Sequence, residues 1–250
     1  MTTKAYCSFL TKIIYFSDDL ELVDFLRSTV LDGTLSDQSS EYVFKDLNPQ
    51  KHVKLSRRKN SDGSRKLLLN HLRKSVYGSY IKDVYEEVTA YFKEIIYAYF
   101  MCDINSPRVI GEHSIKIDAR VLLSLGSWDS VCRFVANSVF QSIESERSTI
   151  ELLNKIKKKI GINIEQDIID NAIPYLQVRH FLVHSDGILS EDFIKKYPSI
   201  KHNISRDILL NYQFLLNFNE QITTLIRSYD EKIVEQNLLR DEFLMPHNNY

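Results

Sequence analysis

Residues 177–187, QVRHFLVHSDG, set one arginine and two histidines among apolar neighbours and then stop at Asp-Gly. On a helix turning about 100° per residue, Tyr175, Val178, Phe181 and Leu182 share one broad arc, with Leu176 and Val183 beside it. Most of the circumference is therefore apolar, and most of the helix is expected to be buried. Gln177, His180 and His184 form a narrow polar strip, the histidines at i and i+4. Arg179 falls inside the apolar sector, where a guanidinium that cannot shed its charge is costly unless paired.

Three kinds of chemistry suit these residues. The histidines could line a hydrogen-bonded polar seam while Arg179 finds a carboxylate on a neighbouring helix. The HxxxH spacing could instead put two imidazoles on one metal, although Phe181 stands where a zinc-protease helix has glutamate and no third ligand is evident. The third is phosphodiester chemistry on RNA. Attack by a 2′-hydroxyl needs an imidazole to move a proton and a fixed cation to hold the phosphate as charge builds, without a metal. Arg179 offers bidentate contacts and His184 a group of the type that titrates near neutrality. One Arg and one His make an incomplete acid–base pair; a two-fold dimer would supply both members.

The pattern R-[polar]-x3-H near the end of a mostly buried helix in an all-α domain resembles the HEPN superfamily. Arg179 matches the motif arginine, His180 the polar residue after it and His184 the motif histidine; the trailing SDGIL and a short following helix are also similar. The resemblance covers residues 127–234, extends less closely over 67–101 and is absent from 1–66. It implies a helical bundle with long antiparallel helices that dimerises through the motif helices. It further implies a metal-independent ribonuclease of toxin or anti-phage type, leaving 2′,3′-cyclic phosphates, with Arg179 and His184 catalytic and His180 auxiliary. A neutralising antitoxin or activating partner goes with that resemblance. Other members of the family keep the fold as non-catalytic dimerisation or nucleotide-binding modules. RVIGEH repeats the spacing with Arg108 and His113, but beside Pro107 and across Gly111 it is expected to be a loop.

RNA also needs a surface for its phosphates. Lys51, Lys54, Arg57, Arg58, Lys59, Arg65 and Lys66 cluster with Asp62 as the one acid among them, and Lys155, Lys157, Lys158 and Lys159 form a second group. Lys54, Arg57, Arg58, Lys157 and Lys158 are the candidate RNA contacts. As solvated positions, the first group is a basic loop and the second a helix end balancing its dipole. There is no P-loop, GxGxxG, nucleophile elbow or kinase set, and no DxD-type acidic cluster, so neither a cofactor nor a metal is expected.

The rest of the chain must position these groups. It has 250 residues, 44% hydrophobic and 26% charged, with a net charge of −1, so nucleic-acid binding would rest on local patches. Seven glycines and five prolines favour helices with short connections over sheets. Three cysteines without CxxC spacing fit a reduced, cytoplasmic protein, and the sequence carries no membrane-span or signal-peptide pattern.

Ser17 is expected to cap a first helix ending near Leu31, followed by irregular chain to Lys66, in which SEYVFKDL is a short strand or irregular crossing. The apolar stripe from Ile81 to Tyr99 marks a long helix over 67–101. Ser127 caps the next, a shorter one ends at Gly161, and the motif helix over 164–185 is kinked or restarted at Pro174. Ser190 caps a short turn and Ser205 the last long helix, to about Val234, before a frayed MPHNNY tail. The fold is expected to be all-α: an N-terminal extension (1–66), a HEPN-like domain (67–236) and a tail (237–250).

Overall fold

A computed structural model describes residues 1–102, 118–144 and 149–246. The fold is all-α. Helices span α1 (Lys4–Leu31), α2 (Val53–Ser56), α3 (Asp62–Cys102), α4 (Ala119–Ser124), α5 (Trp128–Glu144), α6 (Thr149–Ile160), α7 (Gln166–His184), α8 (Glu191–Lys196) and α9 (Tyr212–Glu235). The one sheet among the described residues pairs β1 (Thr2–Thr3) antiparallel with β2 (Leu244–Met245), Thr2 opposite Met245. No helix among them is long and apolar enough to cross a membrane. The Arg108/His113 pair and residues 247–250 of the tail lie outside the described residues.

The long helix α3 is the spine. Its apolar stripe continues through Tyr77, Ile81, Val84, Val88, Phe92 and Ile95, each almost fully buried. α1 packs antiparallel along its middle: Phe9 meets Tyr91 (6.4 Å between ring centroids), Lys12 bridges Glu87 (2.7 Å), and Leu20 and Val23 lie near Val76 and Tyr80. α5 covers the second half, where Arg133 sits over the Tyr97 ring (3.9 Å) and pairs with Glu94 (3.1 Å). α9 runs alongside through Tyr80–Phe218 and Phe92–Tyr229 ring contacts. Tyr6, Phe9, Ile13, Leu20 and Val23 share this core, so the first helix, expected as an extension, packs within the bundle. After α9, Leu239 is buried and β2 returns the chain to β1.

Several local expectations change. Ser17 lies inside α1, its hydroxyl donating to the Ile13 carbonyl (2.8 Å); Thr3 is the cap, accepting from the Tyr6 N–H (3.0 Å). The apolar spacing that begins at Tyr6 and Phe9 overrides an internal serine. Residues 32–52 hold no strand; Val43 is buried there and its carbonyl accepts from the Ser36 hydroxyl. α7 does not restart at Pro174: the helix continues across it, with Pro174 buried beside Ile173 and Leu176. The last helix starts at Asn211, not Ser205: Asn211 Oδ1 accepts the Phe214 N–H at 2.8 Å. The caps at Ser127 and Ser190 are as expected, accepting from Ser130 (3.1 Å) and Phe193 (3.2 Å).

A buried carboxylate ties the ends of the chain together. Asp230 on α9 is 2% exposed and accepts the Thr3 N–H (3.2 Å) and hydroxyl (2.5 Å) and, at 3.5 Å, the Tyr91 hydroxyl. Burial raises its pKa above the ordinary carboxylate value, with the Thr3 and Tyr91 hydrogen bonds acting in the opposite direction. A folded-state value above the unfolded one favours the folded state below the unfolded value, and that contribution is lost as pH rises through the folded value. Asp230→Asn removes this titration. In thermal melts between about pH 4 and 7, wild type is expected to gain melting temperature relative to the variant as pH falls. A gap that widens with rising pH would contradict the raised pKa.

Candidate functional site

The motif helix emerges from the core at its last turn. α7 is buried through Ala172, Ile173, Leu176 and Val178. Tyr175 packs on Phe214 and Phe218 (5.5 and 6.2 Å), and Phe181 on Phe193 of α8 (4.8 Å). Beyond Val178 the helix opens: Arg179 is half-buried, His180 and His184 are exposed, and Val183 is 42% exposed. The expectation of burial therefore holds for the body of α7 but not for the turn that carries the polar residues.

The helix stops where its backbone turns left-handed, at Asp186 (φ 52°) and Gly187 (φ 86°). The Ser185 and Gly187 N–H groups both donate to the Phe181 carbonyl (3.0 and 2.9 Å). Residues 206–208 then clamp this end. Ile208 N–H donates to the Gly187 carbonyl (3.0 Å) and Leu189 N–H to the Arg206 carbonyl (2.9 Å). A Cβ on Gly187 would meet Ile208 and Leu182 at 3.5 and 3.6 Å in a conformation that side chains rarely adopt. Sequence alone gave no sign of this clamp, because it joins segments twenty residues apart through backbone groups.

Arg179 is the unusual member. Its guanidinium carbon lies 5.0 Å from the centroid of the Tyr85 ring on α3, a cation–π contact. No carboxylate pairs with it among the described residues, and its Nε is buried without a hydrogen-bond partner. An unsatisfied buried donor costs about 1–3 kcal/mol, more when it is charged. A neighbouring carboxylate, one of the expectations for this residue, is not found among the described residues. Tyr85 was legible only as part of the α3 stripe; that it underlies Arg179 depends on how α3 and α7 cross.

The imidazoles of His180 and His184 are neighbours, 4.8 Å between centroids and tilted by 46°. Among the described residues no three His, Cys, Asp or Glu side chains gather as a metal-binding group. Arg179 and His184, five residues apart, project about 140° from one another around the helix, so one α7 does not aim both at one point.

The basic residues divide. Lys54, Arg57, Arg58 and Lys158 are exposed and Lys157 is half-buried. Arg65 instead is buried, bound to Asp62 and Asn60 and fastening the irregular segment 32–60. Lys159 is 7% exposed, and burial, with Lys155 and Lys158 nearby, lowers its pKa. Neither belongs to an open basic surface. Closer to α7, Asn70, Arg73 and Lys74 of α3 line an open cleft of about 410 Å³ together with Asp186 and Asn211.

Comparison of the chain with protein-family models, curated proteins and solved structures finds no match.

An arginine that holds the fold and an arginine that awaits an anion differ in what its removal does. Arg179→Met keeps the apolar stem and deletes the charge. It is expected to change the unfolding free energy, measured by urea denaturation, by no more than about 1 kcal/mol. A loss of about 3 kcal/mol or more, the size seen when a buried ion pair is broken, would make Arg179 structural.

Proposed function

We propose that this chain is a metal-independent endoribonuclease of HEPN type that acts as a homodimer of its α7 ends. The observation that carries the reading is the half-buried Arg179, held against Tyr85 with no carboxylate partner among the described residues, beside the exposed imidazoles of His180 and His184. A permanent cation kept unpaired beside groups of proton-transfer type suits an anionic substrate whose charge grows during reaction. The resemblance of RHFLVH to the family motif narrows that anion to an RNA phosphodiester.

In this reaction an imidazole takes the 2′-hydroxyl proton while the 2′-oxygen attacks phosphorus. The P–O5′ bond breaks, the departing oxygen receives a proton from a second imidazole, and a 2′,3′-cyclic phosphate remains. Arg179 donates to the non-bridging oxygens as negative charge gathers there. His184 of one protomer serves as base and His184 of its partner as acid, with His180 orienting the pair or touching RNA. The divergence of Arg179 and His184 around one helix is the reason a second copy is needed. Lys54, Arg57, Arg58, Lys157 and Lys158 lie outside this centre and act, in this reading, on flanking phosphates. A cytoplasmic toxin or anti-phage role, with an antitoxin or activating partner, follows from the same resemblance.

The exposed Val183 beside His180 and His184 also suits a second reading, a non-catalytic dimerisation or nucleotide-binding module. Purified wild type and His184→Ala, incubated with total RNA and a defined tRNA in excess EDTA, separate the two. Cleavage by wild type with cyclic-phosphate ends is expected, reduced at least about 100-fold in the variant. Equal cleavage by a folded His184→Ala protein rules out the assignment of His184, and intact RNA throughout favours the interaction module.

A further inference from the structure

α1 has two apolar faces, and the fold uses one. Tyr6, Phe9, Ile13, Leu20 and Val23 enter the core. On the opposite side Ile14, Tyr15, Leu22 and Phe25 are 48, 65, 55 and 62% exposed. At about 100° per residue these four fall within an arc of roughly 100° and span about 16 Å of helix. A contiguous exposed stripe of large apolar side chains, two of them aromatic, marks an interaction surface more often than isolated exposed residues do.

The charge around the stripe selects its occupant. Between Lys12 and Arg27 the helix carries Asp18, Asp19, Glu21 and Asp24 and no base. Asp18 lies within the stripe, Glu21 on one flank and Asp19 on the other; Lys12 is engaged by Glu87. The stripe also opens, through Leu22, into a cleft of about 290 Å³ between α1 and α3, lined by Leu20, Val23, Val76 and Tyr80 with Asp19 and Asp83. A second copy docking here would set four acids against four, and an anionic membrane or RNA would be repelled in the same way. A helix with apolar residues at i, i+3, i+4 and i+7 and basic residues on both flanks meets every feature, its largest side chain entering the cleft.

We propose that the outer face of α1 is a docking surface for a basic amphipathic helix of a partner protein. The surface uses none of the residues assigned to RNA cleavage and stands or falls independently of that activity.

The test uses the full chain and a helix-forming peptide of about four turns with leucines on one face and lysines and arginines flanking them; a scrambled peptide of equal composition is the control. Fluorescence anisotropy is expected to show binding of the patterned peptide that weakens about tenfold or more for Phe25→Ser and for Leu22→Ser. The double variant Asp18→Lys/Glu21→Lys should weaken it as well, and added salt should do the same to wild type. These positions are exposed, and circular dichroism checks that each variant stays folded. Equal affinity for the scrambled peptide, or no effect of either apolar substitution, overturns the proposal. So does self-association of wild type in sedimentation that Phe25→Ser abolishes, which would make the occupant a second copy. Binding to phosphatidylserine vesicles that Phe25→Ser abolishes would make it a membrane, and equally overturns the proposal.

Discussion

The structure depends on keeping one very long helix dry. α3, with 41 residues, extends about 60 Å, further than any one partner helix in this chain can reach. Its stripe is therefore buried in relays: α1 along the middle, α5 toward the C-terminal end, with α9 and α7 closing the remaining side. Each partner is held by a few directional contacts set among many apolar ones, such as Lys12–Glu87 and Arg133–Glu94. These exposed ion pairs add little stability; burial along the spine supplies most of it.

The candidate site arises where that relay has a gap. Tyr85 belongs to the spine but is only half-buried, and α7 crosses there as it leaves the core. An aliphatic residue in place of Arg179 could have sealed the crossing. The chain instead holds a cation there against an aromatic face, so the same packing that buries the spine fixes the guanidinium. His180 and His184 follow on the turn that the core no longer covers. The arginine and both imidazoles of the candidate site thus sit at the boundary between packed and open helix.

Much of this was legible in the residues. The 3–4 spacing from Ile81 to Tyr99 announces α3, and serines followed by acids announce α5 and α8, because these signals act within a turn or two of chain. Signals that compete over longer distances misled. Ser17 has the form of a cap, yet the apolar positions before it, Tyr6 and Phe9, have partners on α3 that only the fold supplies. Pro174 has the form of a break, yet its surroundings are buried. Arg65 looks like one of a basic run, but it closes a loop through Asp62 and Asn60. At the candidate site, the arginine and both histidines could be named from spacing together with context, the apolar helix around them and the closing Asp-Gly, whereas the placing of Tyr85 under Arg179 could not, since it depends on the crossing of α7 over α3.

The clamp at the end of α7 joins two parts of the molecule that are otherwise far apart in the chain. Residues 206–208 hydrogen-bond to Gly187 and Leu189, and four residues after Ile208 the chain enters α9, which carries Asp230 and, through it, the first strand. The turn that bears His184 is therefore linked by hydrogen bonds, through residues 206–208 and α9, to β1. That turn cannot fray by itself as a free helix end does, and it loosens only as part of a larger cooperative unit.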